Sequence, residues 1–364
     1  MSRFLSDRFT SLNAYVPGEQ PADMEYIKLN TNESPYPPPP SVLESVNENE
    51  LKKLNLYPNP DGSRLISKLA DFYGVKPENV IIGNGSDELL AFSFLAFCDS
   101  ARGVVFPDIT YGFYPVFAEL YGIPYEQIPV KEDLAIDPAA YLDVGKNVVI
   151  ANPNAPTGIA LELCDIEAIV KSNPGFVVLV DEAYVDFGAQ SAIGLIHKYD
   201  NLLIVHTYSK SRSMAGARMS YAIGAAPLIE DLNKMKYSFN PYNVNRLTQI
   251  MAEAALNDEA YYTKKRREIV KTREYTELRL RELGLQMTDS KANFIFAKCP
   301  GIGGYDLYAA LKDRGILVRY LGKPRISDYL RITIGTKEQM DSLISAMKEI
   351  IDPVERRAQC EQAR

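Results

Sequence analysis

A chain of 364 residues with 46% hydrophobic and 24% charged content has the composition of an ordinary soluble globular protein, long enough for one large core and a second, smaller one. Its net charge of −7 argues against nucleic acid as a partner, because a binder of phosphate backbones carries a basic face. Four separated cysteines (Cys98, Cys164, Cys299, Cys360) and only two histidines (His197, His206) leave little material for a disulfide framework, a metal site or a histidine triad.

In chain order, residues 1–40 read as an extended polar arm ending in Pro35-Tyr36-Pro37-Pro38-Pro39-Pro40, where proline forbids helix and favours polyproline-like backbone. The amino terminus lacks a sustained apolar run and no later stretch is long enough to span a membrane, so a cytoplasmic protein without a membrane partner is expected. From about Asp61, helix-like stretches alternate with short β-rich runs at 80–82, 103–106, 148–151, 176–180, 202–205 and 221–223. Runs apolar on both faces and separated by helices predict a buried, largely parallel α/β sheet.

After Asn245 comes a long charged amphipathic region reaching Leu283, whose basic run Lys264-Lys265-Arg266-Arg267 is answered by Glu268, Glu274 and Glu277 and so reads as a solvated helix face. Strand-like 293–297, helix-like 305–312, strands around 316–319 and 330–334, and a last helix through Ile351 then predict a second, smaller α+β domain. The expected division is an arm (1–40) that packs on another part of the protein, a large domain (41–245) and a small C-terminal domain (246–364).

Ligands of open α/β sheets bind outside the carboxyl ends of the strands, and each run delivers something polar there. Gly83-Asn84-Gly85-Ser86-Asp87-Glu88 opens a helix: its backbone N–H groups suit a phosphate, although Ser86 or Asp87 is also an ordinary cap. Tyr111 is placed to stack on a flat ring or to pack in the core, and Asn152-Pro153-Asn154-Ala155-Pro156-Thr157-Gly158 presents an amide or is only a turn. Asp181 ends a very apolar run, where a carboxylate is costly unless a cation or donors meet it. A protonated pyridine nitrogen is one such partner, with Tyr184 three residues on able to donate to a ring oxygen; a helix cap or an arginine pair is the plain alternative.

Lys210, past the run 202–205, offers an amine for a Schiff base, between Ser209 and Arg218, which suit a phosphate dianion. Five strand ends bearing the parts of one site point to pyridoxal 5′-phosphate.

The segments Leu29-Asn30-Thr31-Asn32-Glu33-Ser34-Pro35-Tyr36, Tyr57-Pro58-Asn59-Pro60-Asp61-Gly62, Gly83 to Glu88, Asn152 to Gly158, Asp181-Glu182-Ala183-Tyr184 and Tyr208-Ser209-Lys210 resemble, in order, the motifs of fold-type I, class II pyridoxal-phosphate aminotransferases, nearest to the histidinol-phosphate aminotransferase family. The resemblance covers about residues 12–345. It implies a large domain with a mostly parallel seven-stranded sheet, a smaller α+β domain, an N-terminal arm and a homodimer with shared active sites.

By the same resemblance Lys210 forms the Schiff base and moves the substrate's Cα proton, Asp181 pairs with the pyridine nitrogen, Tyr184 bonds the ring hydroxyl and Tyr111 stacks on the ring. Gly85, Ser86, Asp87, Ser209 and Arg218 would surround the phosphate, with Tyr57 reaching it from the other subunit. Substrate residues implied are Tyr15, Asn32, Arg319 and Arg331, serving histidinol phosphate as amino donor and 2-oxoglutarate as acceptor. One departure stands out: the family reads Asn-Asn-Pro-Thr-Gly where this chain has Ala155 before Pro156, so Asn154 substitutes for the missing amide or Tyr184 acts alone. A threonine-phosphate decarboxylase-like lyase, an aromatic amino acid aminotransferase and a non-catalytic sensor on the same fold remain alternatives.

Overall fold

The computed structural model describes residues 2–362. Its strands in chain order are β1 (Ile27–Lys28), β2 (Val80–Gly83), β3 (Val104–Pro107), β4 (Tyr125–Ile128), β5 (Asn147–Ala151), β6 (Val178–Asp181), β7 (Leu202–Thr207), β8 (Ser220–Gly224), β9 (Gln286–Met287), β10 (Phe294–Lys298), β11 (Ile316–Leu317), β12 (Arg319–Tyr320) and β13 (Tyr329–Thr333). Seven of them form one sheet in the order β2-β8-β7-β6-β5-β3-β4. Only β8 runs against its neighbours, so the remaining six point their carboxyl ends to the same edge.

The sheet is mostly parallel because its strands are buried on both faces and helices connect them. Side chains alternate between the two covers: Val178 and Val180 join one apolar cluster, Leu179 between them joins the other. The seventh strand, β4, is absent from the apolar runs of the sequence. It lies at the sheet edge with the pattern Tyr-Glu-Gln-Ile largely exposed, so no burial wrote an apolar signature into it.

A four-stranded sheet, β12-β13-β10-β9, carries a separate cluster of apolar side chains. The run expected as one strand around 316–319 divides here: β11 pairs with β1 of the N-terminal segment, while β12 pairs with β13. Residues 27–28 are thereby stitched to the C-terminal part of the chain. The charged region 245–283 forms two helices, Arg246–Ala255 and Glu259–Glu282. Pro40, expected to exclude helix, instead occupies the first position of the helix Pro40–Ser45, where a missing N–H costs nothing. No helix among the described residues is long and apolar enough to cross a membrane.

Candidate active site

The carboxyl edge of the seven-stranded sheet borders a cavity of about 360 Å³, closed from the other side by segments 15–18 and 30–33 and by Arg319 and Arg331. Twelve of the residues singled out in the sequence line it: Tyr15, Asn32, Ser86, Asp87, Tyr111, Asp181, Tyr184, Ser209, Lys210, Arg218, Arg319 and Arg331. Gly85, Tyr57 and Asn154 do not.

Lys210 follows β7, where the chain turns sharply and Tyr208 N–H donates to the Met219 carbonyl. Its Nζ donates to the Thr31 carbonyl at 3.2 Å and lies 5.9 Å from the centre of the Tyr184 ring. Desolvation lowers its pKa from 10.5 to about 8. The Arg331 charge pushes the same way and the carboxylates of Glu33 and Asp87 oppose it, so a neutral, nucleophilic amine is within reach near neutrality.

Asp181 closes β6, where its neighbours across the sheet are Ala151 and Val205. The carboxylate is buried, and burial raises its pKa from 3.8 to about 6. Two donors oppose that shift: Tyr114 Oη at 3.0 Å on Oδ2 and the Ala183 N–H at 3.2 Å on Oδ1. No basic side chain of the described residues forms an ion pair with it. A buried anion whose hydrogen bonds from the described residues come from one hydroxyl and one amide suits a cationic N–H delivered by a ligand.

At the far end of the cavity the helix Ser86–Phe97 begins without a side-chain cap, so the N–H groups of Ser86 and Asp87 stay available to an anion. Gly85 precedes it at φ +81°, and a Cβ there would stand 2.3 Å from an Arg218 guanidinium nitrogen. Gly85 therefore works by its emptiness, admitting Arg218 rather than touching a ligand. Ser209 Oγ accepts from Thr207 Oγ1 at 2.9 Å and keeps its own proton for the cavity. The Asp87 carboxylate accepts from Tyr111 Oη at 2.7 Å and sits 3.7 Å from Arg218. Asp87 thus orients the two groups beside the phosphate cradle and offers an anion only its backbone.

Arg331 lies on β13, in register with Phe296 and Arg319 of the neighbouring strands. It donates to the Asn30 carbonyl at 3.1 Å and lies 5.5 Å from the centre of the Phe294 ring, but its Nε is buried with no hydrogen-bond partner. Desolvation lowers its pKa. Arg319 donates to the carbonyls of Val16 and Pro17 at 2.8 and 3.0 Å and so holds the arm that carries Tyr15. The Tyr15 ring stacks on Phe113 at 4.2 Å.

One expectation is corrected. Asn154 does not substitute for an amide at position 155: its Oδ1 accepts from Thr110 Oγ1, and its Nδ2 donates to the Ile109 carbonyl and to Thr157 Oγ1. Both Nδ2 protons are engaged in tying two loops together, because the chain direction after β5 turns the side chain inward and leaves the Ala155 methyl on the cavity.

Tyr57 is 77% exposed, stacks on Tyr242 at 4.5 Å and stands outside the cavity of its own chain. Sequence reasoning missed Tyr114, the hydroxyl that holds Asp181. Its signal was the three-residue spacing from Tyr111 beside a helix start, which brings the two rings edge to face at 5.7 Å.

The model of the family "Aminotransferase class I and II" matches residues 24–347. The chain is 48% identical to the histidinol-phosphate aminotransferase of Brachyspira hyodysenteriae over 96% of this chain and 99% of that protein. It is 51% identical to the histidinol-phosphate aminotransferase of Marinomonas sp. over 96% and 100%. Among solved structures, that of histidinol-phosphate aminotransferase from Sinorhizobium meliloti in complex with pyridoxal 5′-phosphate superposes with a TM-score of 0.85 at 25% identity, covering 96% of this chain and 99% of that one.

Proposed function

The chain belongs to the class I and II aminotransferases, and we propose that it transfers the amino group of histidinol phosphate to 2-oxoglutarate with pyridoxal 5′-phosphate as cofactor. The observation that carries this reading is the juxtaposition, in one cavity, of a Lys210 amine shifted toward its neutral form and an Arg331 Nε buried without a partner. The first asks for an aldehyde, the second for an anion. Relatives of the same length and about half-identical sequence that bear this activity support the choice of substrate.

The residues fit the cofactor: an uncapped helix start, an arginine admitted by Gly85, and a buried carboxylate lacking a cation. When bound, the group supplies an electron sink for the substrate's α-carbon. Ser86, Ser209, Arg218 and the N–H groups of Ser86 and Asp87 hold its phosphate. Asp181 keeps a proton on the ring nitrogen, Tyr184 directs its hydroxyl to the ring oxygen, and Tyr111 covers the ring face. Lys210 Nζ would bind the cofactor's aldehyde and, as an amine, would take up and hand back the proton at the substrate's Cα.

Arg331 grips the carboxylate of the amino-acid partner, while Arg319, released from the arm carbonyls, and Tyr15 receive the phosphate ester. Tyr57, exposed on its own chain, serves the cavity of a second copy in a homodimer. The arm (1–40), large domain (41–245) and small domain (246–364) are the units of this reading.

The test is a spectrophotometric titration of the loaded protein with histidinol phosphate, phenylalanine and threonine phosphate, with keto acid and carbon dioxide assayed in parallel. Bleaching of the visible band at the lowest concentration by histidinol phosphate, with no carbon dioxide, is expected. Preference for phenylalanine, or carbon dioxide release from threonine phosphate, would overturn the substrate assignment. Lys210→Ala removes the band and lowers turnover by at least about 10³-fold.

A further inference from the structure

The hydroxyl of Tyr184 stands on the cavity with its acceptor side occupied by a residue from the opposite wall. Asn32 Nδ2 lies 2.9 Å from Tyr184 Oη. The directions in this contact are determined by the network behind it. The Asn32 backbone N–H donates to Thr333 Oγ1 at 2.9 Å, so the Thr333 hydroxyl turns its own proton to Asn32 Oδ1 at 3.1 Å. With Oδ1 accepting, Nδ2 is the face presented to Tyr184, and it can only donate. Tyr184, receiving that bond, has its one proton left for the cavity.

The arrangement is held firmly. Asn32 is 1% exposed, its carbonyl accepts from Asn293 Nδ2 at 3.0 Å, and its φ of +56° is a conformation that asparagine tolerates better than most residues. Segment 27–29 is docked on the C-terminal strands through β1 and β11 and through the Thr333 N–H to the Leu29 carbonyl. No other amide among the described residues does this work: Asn30 Nδ2 donates to the Glu19 carbonyl, Asn154 faces away, and position 155 is alanine. Burial raises the pKa of Tyr184, while Arg331 and the Asn32 bond oppose the rise.

We infer that Asn32 is a positioning residue that orients the Tyr184 proton toward a ligand oxyanion, an amide supplied from the N-terminal segment rather than from the loop after β5. The inference rests on the reading of the cavity as a pyridoxal-phosphate site and deepens it. Its consequence is that the hydroxyl seated on the large sheet is aimed only while residues 27–34 are docked on the C-terminal strands.

The experiment reads the pH titration of the visible band of the lysine-bound cofactor, besides cofactor affinity. Asn32→Gly removes the amide while accommodating the positive φ. It raises the titration midpoint by about one pH unit, the shift that losing one hydrogen bond to an oxyanion produces, and weakens cofactor binding about tenfold. In a Tyr184→Phe background the same substitution moves the midpoint no further, because no proton is left to orient.

Asn32→Asp, near-isosteric, accepts the Tyr184 proton and raises the midpoint by at least the same amount, which keeps the test decisive should the glycine variant not fold. Coincident midpoints for Asn32→Asp and the unsubstituted protein, or a shift that survives in the Tyr184→Phe background, would overturn the role of Asn32 alone. An unsubstituted protein that takes up no chromophore overturns the cofactor reading, and this inference with it.

Discussion

At pH 7 a lysine of ordinary pKa 10.5 is neutral in only about 3 molecules in 10,000, whereas one held at about 8 is neutral in roughly a tenth, a gain of about 300-fold in reactive amine. Lys210 owes this first to desolvation in the cavity and second to the Arg331 charge. The perturbation to apply is pH, on ligand-free protein mixed with pyridoxal 5′-phosphate, with the rate of appearance of the lysine-linked absorption band followed by stopped flow. The rate is expected to climb with a midpoint near 8 and to level off above it. Arg331→Gln removes the repelling charge and raises the midpoint, leaving desolvation as the larger remaining cause. A midpoint at or above about 10 in the unsubstituted protein, or a midpoint that falls in Arg331→Gln, would refute the argument that burial and a neighbouring guanidinium prepare this amine.

Three further outcomes follow from the geometry. Asp181 has a folded pKa near 6, above its ordinary 3.8, so its contribution to stability is present at low pH and lost as pH rises through 6. Ligand-free Asp181→Asn is therefore more stable than the parent at pH 7 by about 1–2 kcal/mol, with no such slope between pH 4 and 6 in urea denaturation, yet nearly inactive. Asn154→Ala breaks three buried side-chain hydrogen bonds and lowers stability by about 2–4 kcal/mol, with cofactor affinity in the surviving folded protein almost unchanged by equilibrium dialysis. Gly85→Ala drives a methyl into Arg218 at a φ of +81°, weakens cofactor binding about tenfold, measured by the same dialysis, and lowers stability in urea by about 1–3 kcal/mol through backbone strain.

Much of the site was legible in the sequence because its parts sit at strand ends, where an apolar run announces the strand and the residue after it is placed by the sheet's direction. Asp181, Lys210 and the Ser86-Asp87 helix start follow that rule, and each lies at the cavity. Tyr114 escaped it, being inside a helix and recognisable only once its hydroxyl is seen on Asp181. Strand β4 escaped for a different reason: an exposed edge strand needs no apolar run.

What the chain alone determined is the order of elements and the chemistry delivered to one edge of a sheet, since alternation, burial and turn residues are local properties of the polypeptide. Side-chain aim was decided only by tertiary structure. Asn154 and Asn32 are the same residue type in equally suggestive motifs, yet one is consumed between two loops and the other bonds Tyr184 across the cavity. That difference depends on which long-range partner, Thr110 or Thr333, fixes the acceptor end of each amide, a contact 44 positions away in one case and 301 in the other. Hydrogen-bond direction is a property of the completed network, and no local window of sequence contains it.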